Sequence, residues 1–158
     1  MDRHGYREDS TQTTAAAIVA ARLAEHRLTL ELARRAIPVL HWRGELPFLG
    51  GVFQLAGSGL AETRPSSGAV LQGAARHIAL AWAASQTSPA SVSTDSTSNV
   101  GFLTDLRRET SHRLTATLGQ DRLTQLRAEG EAMNLDQAVA YALAEIDNAL
   151  ADPTFGAS

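Results

Sequence analysis

Glu109 and His112 make the one Glu-x-x-His step in the chain, a spacing that puts a carboxylate and an imidazole on one helix face. Carboxylate-bridged di-iron bundles use two such steps plus glutamates from other helices, and a single step falls short of that donor set. The remaining histidines, His4, His26, His41 and His77, form no His-x-His or His-x-x-x-His pair. The step therefore reads as a solvated i,i+3 contact, and neither a metal nor a cofactor is expected. Arg107, Arg108 and Arg113 surround it and have the donors to receive an anion or a phosphate. Asp105 and Glu109 are interleaved with them, so the expected arrangement is a surface ion-pair network.

Other chemistries are excluded by composition. The chain has no cysteine, which removes disulfides, thiolate catalysis and cysteine-ligated metal. All 14 of its Lys and Arg residues are arginine, which removes Schiff-base lysines and the lysine of a phosphate loop. Gly50, Gly51, Gly57 and Gly59 follow no strand and precede no Lys-Ser or Lys-Thr, and no serine sits in a G-x-S-x-G elbow. A net charge of -3 over 158 residues gives little attraction to nucleic acid or to an anionic membrane. No apolar run approaches the ~20 residues of a membrane span, and the polar start MDRHGYREDSTQTT lacks the apolar core of a signal peptide. A cytoplasmic, non-enzymatic chain is expected.

The elements that would position these residues are helical. Residues 1–12 read as a disordered lead-in. From Thr13, TTAAAIVAARLAEH offers an N-cap followed by good helix formers. Leu28, Leu32, Ala36, Val39 and Leu40 then form a helical stripe, with Pro38 inside it as a kink or break and Gly44 as its stop. Pro47 suits the first turn of a third helix, whose face is Phe48, Val52, Leu55, Ala56 and Leu60. Its four glycines imply close backbone packing against a neighbour. Pro65 and Ser66 open a fourth helix carrying Val70, Leu71, Ala74, Ile78, Ala81 and Trp82. Residues 85–98, mostly serine and threonine in SQTSPASVSTDSTSN, read as a flexible linker with little to bury. Phe102 to Leu118 is a fifth helix ended by Gly119, and Leu123 and Leu126 support a short sixth ended by Gly130. Asn134 caps a seventh with Gln137 placed for a capping box, and Val139, Leu143, Ile146 and Leu150 form its stripe before Pro153.

Period-2 strand patterns are missing. The expected fold is all-α, about seven helices in antiparallel pairs, a TPR-like helical repeat or bundle. Helical-repeat pairs would occupy 13–84. A C-terminal helical segment, 99–151, would pack on them, and 152–158 would be a tail.

AIPVLHWRGELPFLGGVFQLAGSGLAETRPSSGAVLQGAAR, with its helix end at Trp42-Arg43-Gly44 and its element of Ala69, Leu71, Gly73, Ala74 and Ala75, resembles the last helical repeats of large bacterial regulators. These are the multidomain ATPase regulators of LuxR type and their adenylate-cyclase-linked relatives. LTATLGQDRLTQLRAEGEAMNLDQAVAYAL, with Leu118-Gly119, Ala128-Glu129-Gly130 and the helix of Leu135, Ala138 and Ala142, is similar to their closing segment. The resemblance spans roughly Leu28 to Leu150. It implies a helical arm that receives a partner or an inducer signal, with an ATPase domain upstream and a DNA-binding domain downstream, neither of which this sequence displays.

The function expected on these grounds is a protein-interaction module in signal transduction or transcription regulation, binding a protein partner or itself. Tryptophan, phenylalanine and arginine are the usual anchors of such surfaces, which makes Trp42, Phe48, Phe53 and Trp82 the candidate apolar anchors and Arg43 and Arg76 the candidate rim. The alternative is a small-molecule sensor holding an apolar ligand between helices, with the glycine-rich third helix, His41, His77 and Trp82 lining the pocket.

Overall fold

A computed structural model describes residues 3–85, 97–153 and Phe155. Among them the chain is all helical, with seven helices and no strand: α1 (Arg3–Arg22), α2 (His26–Arg43), α3 (Leu46–Leu60), α4 (Pro65–Ser85), α5 (Thr97–Leu118), α6 (Gln120–Glu131) and α7 (Leu135–Ala151). None of these helices is long and apolar enough to cross a membrane.

Local chemistry sets most helix ends. Gly44 takes the left-handed conformation (φ 68°) that closes α2, its N–H donating to the His41 carbonyl while the Glu45 N–H donates to that of Leu40. Pro47 stands in the first turn of α3, where its missing N–H costs no helical bond. At α7 the expected capping box is formed: Asn134 Oδ1 accepts from the Gln137 N–H at 2.8 Å, and the Asn134 N–H donates to Gln137 Oε1 at 3.0 Å.

Four boundaries differ from those expected, the possible break at Pro38 among them. The lead-in is helical from Arg3, ten residues before Thr13. Ala17 and Ala20 bury the C-terminal half of α1, and extending a nucleated helix backward costs far less than starting one. α2 runs unbroken through Pro38, which lies on its exposed face, where the carbonyl left unpaired can turn to water. Gly130 does not end α6, which continues to Glu131. The serine/threonine linker is shortened at both ends, by α4 through Ser85 and by α5 from Thr97, and its remainder lies outside the described residues.

The main core joins α2, α3, α4 and α7 through Leu30, Ile37, Leu40, Leu49, Phe53, Leu71, Ile78, Ala142 and Ile146. A second cluster sets Val70 of α4 against Leu114, Leu123 and Leu126 of α5 and α6. Two helix crossings are close enough to require glycine. At α3/α4, a Cβ on Gly68 would lie 3.0 Å from the Gly57 carbonyl oxygen. At α4/α6, a Cβ on Gly73 would overlap the Arg127 carbonyl, and one on Gly130 would overlap that of Val70.

Three polar contacts tie α7 along α2. Arg27 donates to the Leu150 carbonyl at 3.1 Å, Arg34 Nε to Asp147 at 2.7 Å, and His41 Nε2 meets Asp136 at 2.9 Å. Glu145 of α7 is held by Arg64 Nε at 2.9 Å and by the Ser67 hydroxyl at 2.5 Å. Burial pushes the Glu145 carboxyl up, but the Ser67 and Arg64 bonds outweigh it and leave its pKa below the usual value. Beside it, burial pushes the Tyr141 phenol up.

Two stability measurements follow. Gly73→Ala should lower the melting temperature by several degrees, since overpacking of this kind costs about 1–3 kcal/mol. Gly101→Ala, whose Cβ meets nothing within 4 Å in α5, should stabilise by up to about 1 kcal/mol. Urea unfolding of the wild type against Glu145→Gln across pH tests the second contact. A depressed carboxyl pKa contributes stability above the unfolded value, so the difference should be largest near neutral pH and shrink as pH falls below about 4.3 toward the lower folded value.

Candidate functional site

The contacts gather the last turn of α2, the first turns of α3 and α7 and the last turns of α4 at one end of the molecule. His41 reaches Asp136, Gly50 of α3 abuts Ile78 of α4, and Leu46 shares a hollow with Ala81 and Leu135. Trp42 (84% exposed), Phe48 (57%), Leu80 (58%) and Trp82 (38%) all lie at this end. From Ala79 to Ala84 every residue of α4 is exposed, so this stretch runs past the packed core with an alanine-rich, tryptophan-bearing surface.

Three of the four expected apolar anchors therefore share one end, and Phe53 does not. It is fully buried in the main core. α3 is walled by α2 and α4 and touched by α7, so a helix apolar on nearly every side has nearly every side filled. The sequence could not say which of Phe48 and Phe53 faced inward, because both fit an apolar stripe. Leu80 was missed. Its exposure depends on α4 outrunning its neighbours, which no pattern within α4 reveals.

Of the expected rim, Arg43 is half-buried with Nη1 enclosed and without a hydrogen-bond partner among the described residues. Arg76 is well exposed and stands 3.6 Å from Glu131 of α6, so it turns toward the α4/α6 crossing.

The apolar-ligand pocket is not assembled as expected. His77 does line a hollow, with Leu46, Ala74, Ile78, Met133 and Ala138, but its volume is about 110 Å3, against the roughly 300–1,000 Å3 of small-molecule sites. His41 is engaged with Asp136, Trp82 is not among the lining residues, and the glycines of α3 face other helices.

The two ends of the Glu-x-x-His step have different partners in the fold. Glu109 accepts from Arg113 Nη2 at 2.8 Å, and Arg113 also stands 3.7 Å from Glu62. His112 lines a recess on another side of the helix with Arg107 and Arg108. The expected ion-pair network thus includes Arg113 but neither Arg107 nor Arg108. Among the described residues no three His, Asp or Glu side chains gather where they could hold a metal.

No protein-family model, curated protein or solved structure matches the chain.

The two phenylalanines separate under substitution. Phe53→Ala should cost about 3–5 kcal/mol in urea unfolding, whereas Trp42→Ala and Phe48→Ala should stay within about 0.5 kcal/mol of the wild type.

Proposed function

We propose that the chain is a non-enzymatic helical module for protein–protein contact. It would act as a cytoplasmic regulatory arm in bacterial signal transduction or transcription regulation, as its sequence resemblance to LuxR-type and adenylate-cyclase-linked ATPase regulators suggests. The observation that carries this reading is the exposure of Trp42, Phe48, Leu80 and Trp82 at one end. Val19, Leu23 and Leu28 are exposed as well, but among the described residues only this end gathers aromatic side chains, the residue types enriched where proteins meet.

The architecture we infer is a set of antiparallel, TPR-like helix pairs, α2 with α3 and α3 with α4, closed by α7. Its support is the order of the contacts: along α3, Gly50 meets Ile78 and Gly57 meets Gly68 of α4, and Arg27, Arg34 and His41 ascend α2 while Leu150, Asp147 and Asp136 descend α7. A solenoid repeat touches only its neighbours. The return of α7 to α2 makes this arm a closed bundle at that face and leaves the aromatic end as the surface for association. The commitment of Glu109 to Arg113 supports the non-enzymatic part of the reading. In the isolated chain the occupant of the aromatic end is a second copy.

Light scattering over a dilution series tests this. The wild type should be a dimer that dissociates on dilution, and Trp42→Ser/Phe48→Ser should be a monomer with an unchanged melting temperature. A wild type that stays monomeric at every concentration, or a variant that dimerises equally, would remove the aromatic end as the contact.

A further inference from the structure

A recess between α5 and the start of α6 lies away from the aromatic end. Arg107, Arg108, Ser111, His112 and Thr115 of α5 line it with Gln120 of α6, around a volume of about 590 Å3. Their spacing of one, three and four is that of a single helix face.

The same turn of helix removes the acids. Asp105 and Glu109 line a different hollow, with Arg113 and Phe102, and there Glu109 is satisfied by Arg113. Arg107 and Arg108 make no ion pair or hydrogen bond among the described residues, although the sequence sets acids on both sides of them. Interleaving in the sequence has become separation in space.

The wall behind them is also cationic. Arg127 of α6 is half-buried and donates to Gln72 Oε1 at 2.7 and 3.0 Å and to Ser111 Oγ at 2.7 Å. Burial pushes its pKa down, and the charges of Arg107 and Arg76 push the same way, opposed by Glu131. Ser111 Oγ accepts from Arg127 and, at 3.4 Å, from Gln72 Nε2, so its O–H remains a donor.

We propose that this recess binds a small phosphorylated anion, a phosphate monoester or diphosphate, gripped by the guanidiniums of Arg107 and Arg108 with Ser111 and His112 as further donors. Planar guanidiniums match phosphate oxygens two at a time, and the volume is in the range of small-ligand sites. An anion also offsets the mutual repulsion of Arg107 and Arg127. The chain's net charge of -3 weighs against a nucleic-acid backbone as the source of the phosphates.

The test is isothermal titration of pyrophosphate and of ADP, at about 0.15 M salt so that weak surface attraction is screened. Three proteins are compared: the wild type, Arg107→Gln/Arg108→Gln, and Arg35→Gln as a control on an exposed position of α2. Both recess arginines are exposed, so the double variant should fold and melt as the wild type does. The wild type and the control should show saturable binding that the double variant weakens at least about tenfold. Tighter binding of ADP than of pyrophosphate would assign the site to nucleotides, and equal binding would assign it to phosphate groups alone. Absence of saturable binding by the wild type, or equal binding by the double variant, overturns the proposal. So does a glutamate-rich peptide that binds as tightly as pyrophosphate and competes with it, because the recess would then be a peptide-docking face.

Discussion

The backbone-to-backbone crossing of α4 and α6 at Gly73 and Gly130 is the constraint on which the other contacts depend. With no side chain at either position, the two helices approach until a single methyl would strike a carbonyl. That approach brings Leu123 and Leu126 onto Val70 and Arg127 onto Gln72 and Ser111. If the crossing opens, the second hydrophobic cluster loses its closure and α5 loses the wall that gives its arginine face a recess. Two hydrogens thus set the position of a quarter of the helices.

α7 supplies the other closure, and it works differently. Its apolar stripe covers the α2–α3–α4 core, while its polar contacts with Arg27, Arg34 and His41 fix its direction. Most of these ion pairs are half-exposed and contribute little each. The Arg64–Ser67–Glu145 cluster is more enclosed and is where α7 is held to the start of α4. Burial provides the energy and the polar groups provide the register.

The sequence made the helices legible wherever a stop or cap had a single chemical cause: Gly44, Pro47, Gly119, and the Asn134–Gln137 box. It was illegible where the cause lay on another helix. Gly130 looks like a terminator to its own segment and is a contact surface to α4. Phe48 and Phe53 satisfy the same stripe, and only the walls around α3 separate them. Arg107 and Arg108 stand among acids in one dimension and apart from them in three. The lead-in was misread for a related reason: residues 3–12 have little helical preference of their own and inherit their state from the buried half of α1. The aromatic end was half legible, since Trp42 and Trp82 could be nominated by type, but nothing before the fold showed that Phe48 and Leu80 would join them.

The path by which α7 returns to α2 has a consequence in time. Its contacts join residues 95 to 123 positions apart, and a ribosome adding about 5–20 residues per second needs roughly 5–25 s to span that interval. From the addition of α3 onward, the face of α2 and α3 that Ala142 and Ile146 cover still awaits α7. A newborn chain of this protein therefore passes through a stage in which its most apolar surface lacks its cover. Part of that stage is the mostly serine and threonine stretch from Ser85 to Asn99, which delays the cover and adds little apolar surface.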